Sequence, residues 1–320
     1  MGIKHAKRLF DSKPIACHLY VTDQCNLDCS YCSEYDNSVP HPELGDLISY
    51  VDKAADLGCL HMGLQGGEPL LYPHLCEVIR HTRRRGMSVS MSTNGFLLEP
   101  SVISDLEEAG LQSIQVSVDR MTPSESTRKS LKTVTRRLKW LKGSSMKVQI
   151  AGVLFKDTLD EAQDVLETTL DLGFSSHFRL VHPDPKQAFS VSVGNRDELS
   201  GFLEGMMDRK AAGEQIHTTW TILNYQRALL DEQEVDWTCV AGYKYFFVSA
   251  FGKFWPCSML RTETDFLDVT PELLKSYFVK KECQASCGVY CVVSTSLLLE
   301  KPLRFGLDEL FSRRRAEQTP

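Results

Sequence analysis

Short apolar and β-branched runs recur along the first half of the chain, at Ala16–Val21, Leu60–Leu64, Ser88–Ser92, Ser113–Val118, Val148–Leu154 and Ser176–Val181. Between them lie amphipathic stretches of helical length. Gly86, Gly110 and Gly173 each close such a stretch just before a run, where a left-handed C-terminal cap belongs. Six strands alternating with helices predict repeated βαβ units, hence a parallel sheet in an α/β fold. Whether such a sheet is open or curls into a barrel, ligands gather at the loops that follow the strand C-termini.

After Pro183 the rhythm changes. Arg196–Arg209 and Trp220–Asp231 read as helices, and Tyr243–Ser249 and Lys253–Trp255 flank an Ala-Phe-Gly turn as a β-hairpin. A last helix is predicted to start with Thr270 as N-cap and Pro271 at its first position. The expected organisation is an arm over 1–15, an α/β body over 16–190, a helical connector over 191–234, a small second domain over 235–300 and a solvated tail over 301–320.

A chain of 320 residues with a formal charge of −6 spread over mixed signs has no electrostatic reason to bind nucleic acid or anionic lipid. Its start lacks an apolar export core, and no apolar run is long enough to span a membrane, so a soluble cytoplasmic protein is expected. Eleven cysteines in such a chain point to metal ligation or redox chemistry rather than a disulfide framework.

The spacing of those cysteines is informative. Cys25-Asn-Leu-Asp-Cys29-Ser-Tyr-Cys32 follows directly on the first strand. Three thiolates can occupy three corners of an iron–sulfur cubane and leave one iron open to a ligand. Zinc would need a fourth ligand; His18 and His41 are nearest, neither at finger-like spacing. Packing of three small buried residues is the third reading.

This C-x3-C-x2-C run, with Tyr31 before the third cysteine, resembles the signature of the radical S-adenosylmethionine (SAM) superfamily. The resemblance implies a partial (β/α)6 TIM-like barrel and a [4Fe–4S] cluster held by Cys25, Cys29 and Cys32, whose open iron chelates SAM. One electron then breaks the sulfonium bond, and the 5′-deoxyadenosyl radical takes a hydrogen from substrate.

Gly66-Gly67-Glu68-Pro69, after the second strand, resembles the family's GGEP motif, which contacts the SAM amine. Two glycines allow close backbone approach to a ligand and Glu68 offers an acceptor, although a tight turn would use the same residues. Ser92 and Asn94 end the third strand, and Ser117 and Asp119 the fourth. They resemble the family's later SAM-binding motifs but also suit ordinary turns. Arg179, among apolar neighbours in the sixth strand, needs an anion: the SAM carboxylate, a substrate or a structural ion pair. Arg83-Arg84-Arg85 reads as a helix end complementing the dipole. Cys17, Cys59 and Cys76 read as buried small residues.

Cys239, Cys257, Cys283, Cys287 and Cys291 lie where the βα rhythm has stopped. Cys239, with Gly252 five residues before Cys257, resembles the opening of the SPASM and twitch domains. These carry auxiliary iron–sulfur clusters in the subgroup that includes the molybdenum-cofactor biosynthesis enzyme A and peptide maturases. Five thiols suffice for one cluster with four cysteine ligands and fall short of two; a zinc site built from four of them is the alternative. The C-x3-C-x3-C spacing from Cys283 departs from the SPASM pattern. The Gly-Gly tail of the molybdenum-cofactor enzyme is missing, so that activity is not expected.

The resemblance implies an oxidative modification, a cross-link or dehydrogenation, of a ribosomally made peptide, supplied with electrons by a flavodoxin- or ferredoxin-type donor. The short arm before the first strand leaves no room for an N-terminal leader-binding domain, which keeps open a radical SAM dehydrogenase of a sugar, alcohol or other metabolite. The reading from another class is a non-catalytic iron–sulfur or zinc protein that transfers electrons or scaffolds a partner.

Overall fold

A computed structural model describes residues 11–181, 196–300 and 302. The start of the arm, the border predicted near 190 and nearly all of the tail lie outside the described residues. The chain divides into two compact units. The first holds the described residues up to Val116, with Thr133–Val148 and Val240–Val279; the second holds Ser117–Lys132, Gln149–Cys239 and the described residues from Lys280.

In the first unit four strands follow in chain order, β1 (Ala16–Thr22), β2 (His61–Gly66), β3 (Ser88–Thr93) and β4 (Ser113–Ser117, its last residue in the second unit). All pair in parallel, so the loops leaving β1, β2 and β3 emerge on one rim. Each strand lies within two residues of its prediction. Helix α1 (Leu44–Leu57) joins β1 to β2 and buries Leu47, Tyr50, Val51, Ala54 and Leu57, a helical stripe. Helix α2 (Leu75–Arg84) buries Leu75, Val78, Ile79 and Thr82 in the same way. Helices α3 (Pro100–Ala109) and α4 (Leu131–Leu141, its first two residues in the second unit) complete this part of the chain. The predicted caps hold, with φ of +82° at Gly86, +94° at Gly110 and, in the second unit, +83° at Gly173. Arg83 and Arg84 do lie in the last turn of α2.

The predicted hairpin forms from β7 (Tyr245–Val248) and β8 (Phe254–Trp255), paired antiparallel. Its place is set by a long-range contact. β7 pairs in parallel with β1, Ala16 opposite Tyr245 and Leu19 opposite Val248, so β1 is hydrogen-bonded on both sides. The Tyr245-Phe-Phe-Val run is buried throughout, as a strand inside a sheet must be. Helix α8 (Pro271–Ser276) starts as predicted: the Thr270 hydroxyl accepts from the Leu273 N–H at 3.2 Å.

The second unit pairs β5 (Lys147–Leu154, which starts in the first unit) with β6 (Ser175–Leu180) in parallel and adds helices α5 (Leu159–Asp171), α6 (Arg196–Ala211), α7 (Trp220–Leu230) and α9 (Tyr290–Glu300). The expectation that the helix at Thr270 is the last one is corrected by α9. Its sequence, YCVVSTSLLLE, is apolar on most sides and shows no amphipathic stripe to read.

Candidate functional site

The site is built from the loops leaving β1, β2 and β3. β1 slips register against β2 between Tyr20 and Thr22, immediately before the cysteine loop. That loop closes on itself: the Asp36 N–H donates to the Asp23 carbonyl at 2.8 Å and the Gln24 side-chain amide to the Val39 carbonyl at 2.8 Å. The Cys25 N–H donates to Asn37 Oδ1 at 2.8 Å, and the Cys32 N–H to the Cys29 carbonyl at 3.0 Å. Cys29 is buried, whereas Cys25 and Cys32 are half-buried.

The glycines after β2 approach the cysteine loop. A Cβ on Gly66 would lie 2.0 Å from the Thr22 carbonyl oxygen, and one on Gly67 2.2 Å from that of Gln24. This approach lets the Gly67 and Glu68 N–H groups donate to those same carbonyls at 2.9 and 2.8 Å. Pro69 opens a short 3-10 turn over Pro69–Leu71. Glu68 is fully buried and reaches across to β3. Its Oε1 accepts from the Thr93 hydroxyl at 2.7 Å and the Leu70 N–H at 3.1 Å, and its Oε2 from the Asn94 N–H at 2.7 Å. Asn94 returns the connection: its amide donates to Asn26 Oδ1 at 2.7 Å and lies 4.0 Å from Cys25 Sγ. Three strand ends are thereby tied through one buried carboxylate.

The loop is also held from the hairpin side. Glu34 Oε2 accepts from the Tyr20 hydroxyl at 2.6 Å and from Arg261 at 3.0 Å, and the Arg261 guanidinium stacks 4.5 Å over the Trp255 ring. Tyr35 and Asn37 were not singled out in the sequence. Desolvation first, then the nearby negative groups of Asp28 and the three cysteines, push the Tyr35 phenol above its usual range. Their position within five residues of Cys32, in a dense polar stretch, was the available signal.

His18 and His41 are engaged by other side chains. His18 Nδ1 meets Gln65 Oε1 at 2.9 Å and its Nε2 meets the Tyr245 hydroxyl, while His41 Nδ1 meets the Thr22 hydroxyl at 2.8 Å. Cys17 and Cys59 are buried as expected, and burial pushes the Cys17 thiol well up. Cys76 is a correction: in the first turn of α2, beside rather than on the buried stripe, it is only half-buried.

Ser92 is half-buried at the end of β3. Ser117, Asp119 and Arg179 belong to the second unit. The Asp119 carboxylate is buried and accepts from the Val153 N–H at 3.1 Å and the Thr127 hydroxyl at 2.9 Å, which fixes the end of β5. Arg179 meets no carboxylate among the described residues. Of the second cysteine set, Cys257 lies in the first unit and Cys239, Cys283, Cys287 and Cys291 in the second. Cys239 and Cys287 are buried and both act electrostatically on the Tyr225 phenol, whose hydroxyl donates to the Cys287 carbonyl at 3.0 Å. Cys283 is exposed.

The sequence pattern of the radical SAM superfamily matches residues 19–169, the segment that carries the cysteine loop and all three tied strand ends. Residues 19–169, just under half of the chain, are similar to the radical SAM superfamily. An AdoMet-dependent heme synthase from Methanosarcina barkeri is 25% identical over 303 residues, covering 84% of this chain and 86% of that protein. A PqqA peptide cyclase from Bradyrhizobium diazoefficiens is 24% identical over 265 residues, covering 76% of this chain and 66% of that one. Streptococcus suis SuiB, solved bound to precursor peptide SuiA, superposes with a TM-score of 0.64 at 14% identity over 90% of this chain and 73% of that chain. That fold likeness extends beyond residue 169 into the region of the second cysteine set. No helix among the described residues is long and apolar enough to cross a membrane.

A radical SAM enzyme works with a [4Fe–4S] cluster and SAM, and the cysteine loop fits the cluster. Among the described residues no three His, Cys, Asp or Glu side chains meet closely enough to hold a single metal ion. A cubane makes no such demand, because each thiolate takes its own iron and the loop wraps a body rather than a point. Cys25 Sγ already accepts from the Leu27 N–H at 3.4 Å and lies within reach of the Asn94 amide, and donors aimed at sulfur favour the thiolate a cluster requires.

Proposed function

We propose that Cys25, Cys29 and Cys32 hold the SAM-binding cluster and that the enzyme oxidatively modifies a ribosomally made peptide. The observation that carries the site is the buried Glu68 lock, which joins the GGEP turn to the end of β3 and, through Asn94, to the cysteine loop. When bound, a cluster at the first cysteine set supplies the electron that splits SAM, and one at the second supplies an acceptor for the electron a substrate gives up.

The chain's own residues orient these groups. Gly66 and Gly67 keep the turn against the backbone of Thr22 and Gln24, and Glu68 and Pro69 fix its direction toward the rim. Tyr31, Ser92, Asn94, Ser117 and Asp119 are proposed to surround SAM. Four of Cys239, Cys257, Cys283, Cys287 and Cys291 are proposed to hold the auxiliary cluster of a SPASM/twitch domain over 235–300. A low-potential flavodoxin or ferredoxin is the proposed reductant.

A peptide substrate is supported by the relatives named as a peptide cyclase and as SuiB bound to its precursor peptide. Reconstituting the protein anaerobically and reducing it with dithionite in the presence of SAM tests the first step: 5′-deoxyadenosine accumulates, and Cys25→Ala abolishes it. Co-expression with a short peptide encoded beside the gene tests the second, the product being lighter by two hydrogens. A small-molecule substrate is the second reading, favoured by the heme synthase that covers 84% of this chain. An unchanged peptide mass alongside active SAM cleavage would select it.

A further inference from the structure

In the second unit, the chain from Trp237 to Cys239 is pinned by the segment that carries Cys283 and Cys287. At the start of a 3-10 turn over Glu282–Ser286, Gln284 Oε1 accepts from the Lys281 N–H at 2.9 Å, and the Gln284 amide donates to the Trp237 carbonyl. The Lys281 ammonium reaches the Cys239 carbonyl at 3.3 Å. From α7, the Tyr225 hydroxyl donates to the Cys287 carbonyl at 3.0 Å, and the Tyr225 ring meets that of Trp237 edge to face at 6.1 Å. The Trp237 indole therefore stands in the same enclosed cluster as the two buried thiols, Cys239 and Cys287.

Two features of this cluster exceed what packing needs. Trp237 is fully buried, yet its Nε1 has no hydrogen-bond partner among the described residues. Enclosed donors of native proteins are nearly always bonded, and one left open calls for an acceptor. The second feature is Lys281, which brings a full positive charge to the peptide of a cysteine where a neutral donor would bond the carbonyl as well. An acceptor built on sulfur accounts for both. The thiolates and sulfides of an iron–sulfur cluster are enclosed and negatively charged, and the charge grows on reduction. Hydrogen bonds to sulfur and a nearby cation therefore stabilise the reduced form more than the oxidised one and raise the reduction potential.

We infer that Trp237 and Lys281 are positioning residues that set the potential of the auxiliary cluster, the indole N–H donating to one of its sulfurs and the ammonium lying beside Cys239. Both act in the direction of a higher potential, which suits the role of electron acceptor. The inference rests on the proposed auxiliary cluster and deepens it by naming what tunes that centre.

The test uses the full-length chain carrying Cys25→Ala, Cys29→Ala and Cys32→Ala, reconstituted anaerobically with iron and sulfide, so that the iron signal comes from the second cysteine set alone. With a magnetic isotope at the indole nitrogen of tryptophan, pulsed paramagnetic resonance of the reduced protein should show a weak coupling to the cluster that is lost in Trp237→Phe. Dye-mediated redox titration should find the potential shifted negative in Trp237→Phe and in Lys281→Met and restored in Lys281→Arg, with iron held at about four per chain. Iron retained at that level, with no coupling and an unmoved potential in both variants, overturns the inference and leaves the auxiliary cluster standing. A chain that takes up no iron, or zinc in its place, overturns the auxiliary cluster and the inference with it. If Trp237→Phe does not fold, the label in the chain that keeps Trp237 and the Lys281 variants decide.

Discussion

The two cysteine sets differ in how they are held. The first is one closed loop in one unit, braced by the loops after β2 and β3 and by Arg261 on the hairpin side. The second is distributed, with Cys257 in the first unit, four thiols in the other, and Cys283 exposed. A short-range motif can be positioned by its own loop and the adjacent strand ends. A dispersed set depends on the packing of segments far apart in sequence, and tolerates individual losses differently.

The sharpest way to break this comparison is to remove one thiol from each set. Cys29→Ala should lower the iron content from about eight to about four per chain and abolish 5′-deoxyadenosine formation, whereas Cys283→Ala should leave SAM cleavage intact. Iron and sulfide assays with chromatography of the nucleoside check both.

Gly67→Ala should come next. Its Cβ would sit 2.2 Å from a backbone carbonyl that has no room to retreat, so a loss of about 3 kcal/mol or more is expected in urea unfolding, together with loss of cluster uptake. Gly86→Ala is the control. With nothing within 4 Å and only the left-handed backbone to strain, it should cost about 1 kcal/mol.

Glu68→Gln keeps the shape but replaces a carboxylate that accepts three hydrogen bonds with an amide that can satisfy only some of them. About 2 kcal/mol of stability should be lost, with SAM affinity falling alongside, measurable by unfolding and equilibrium dialysis.

The smallest effect should be on pH. Burial lowers the pKa of His61, and burial with the Arg179 and His217 charges lowers that of His177 further. The unfolded chain, with histidine near 6.5, then binds more protons than the folded one, so stability is full above that pH and is lost as pH falls through and below it. Urea midpoints at pH 7.5 and 5.5, each value approximate to about 0.1, should differ more for wild type than for His177→Gln.

Much of this was legible in the sequence because it is local. β1 to β6 declare themselves by β-branched runs between capped helices, and the cysteine loop by spacing. What the glycines of Gly66-Gly67 approach was not legible: in the structure it is the backbone of Thr22 and Gln24, a contact across a βα unit. The pairing of β7 with β1 was hidden for a similar reason, since nothing in the Tyr245-Phe-Phe-Val run names a partner more than two hundred residues earlier. Helix α9 was missed because its apolar residues show no stripe.

Double-resonance spectroscopy of the reduced enzyme, with SAM carrying a magnetic isotope at its amino nitrogen, asks whether that nitrogen binds iron. A direct coupling between the label and the cluster, lost in Cys25→Ala, is the predicted result. A reduced cluster at Cys25, Cys29 and Cys32 that shows no coupling to the label, its fourth iron already ligated by the protein, would contradict the account.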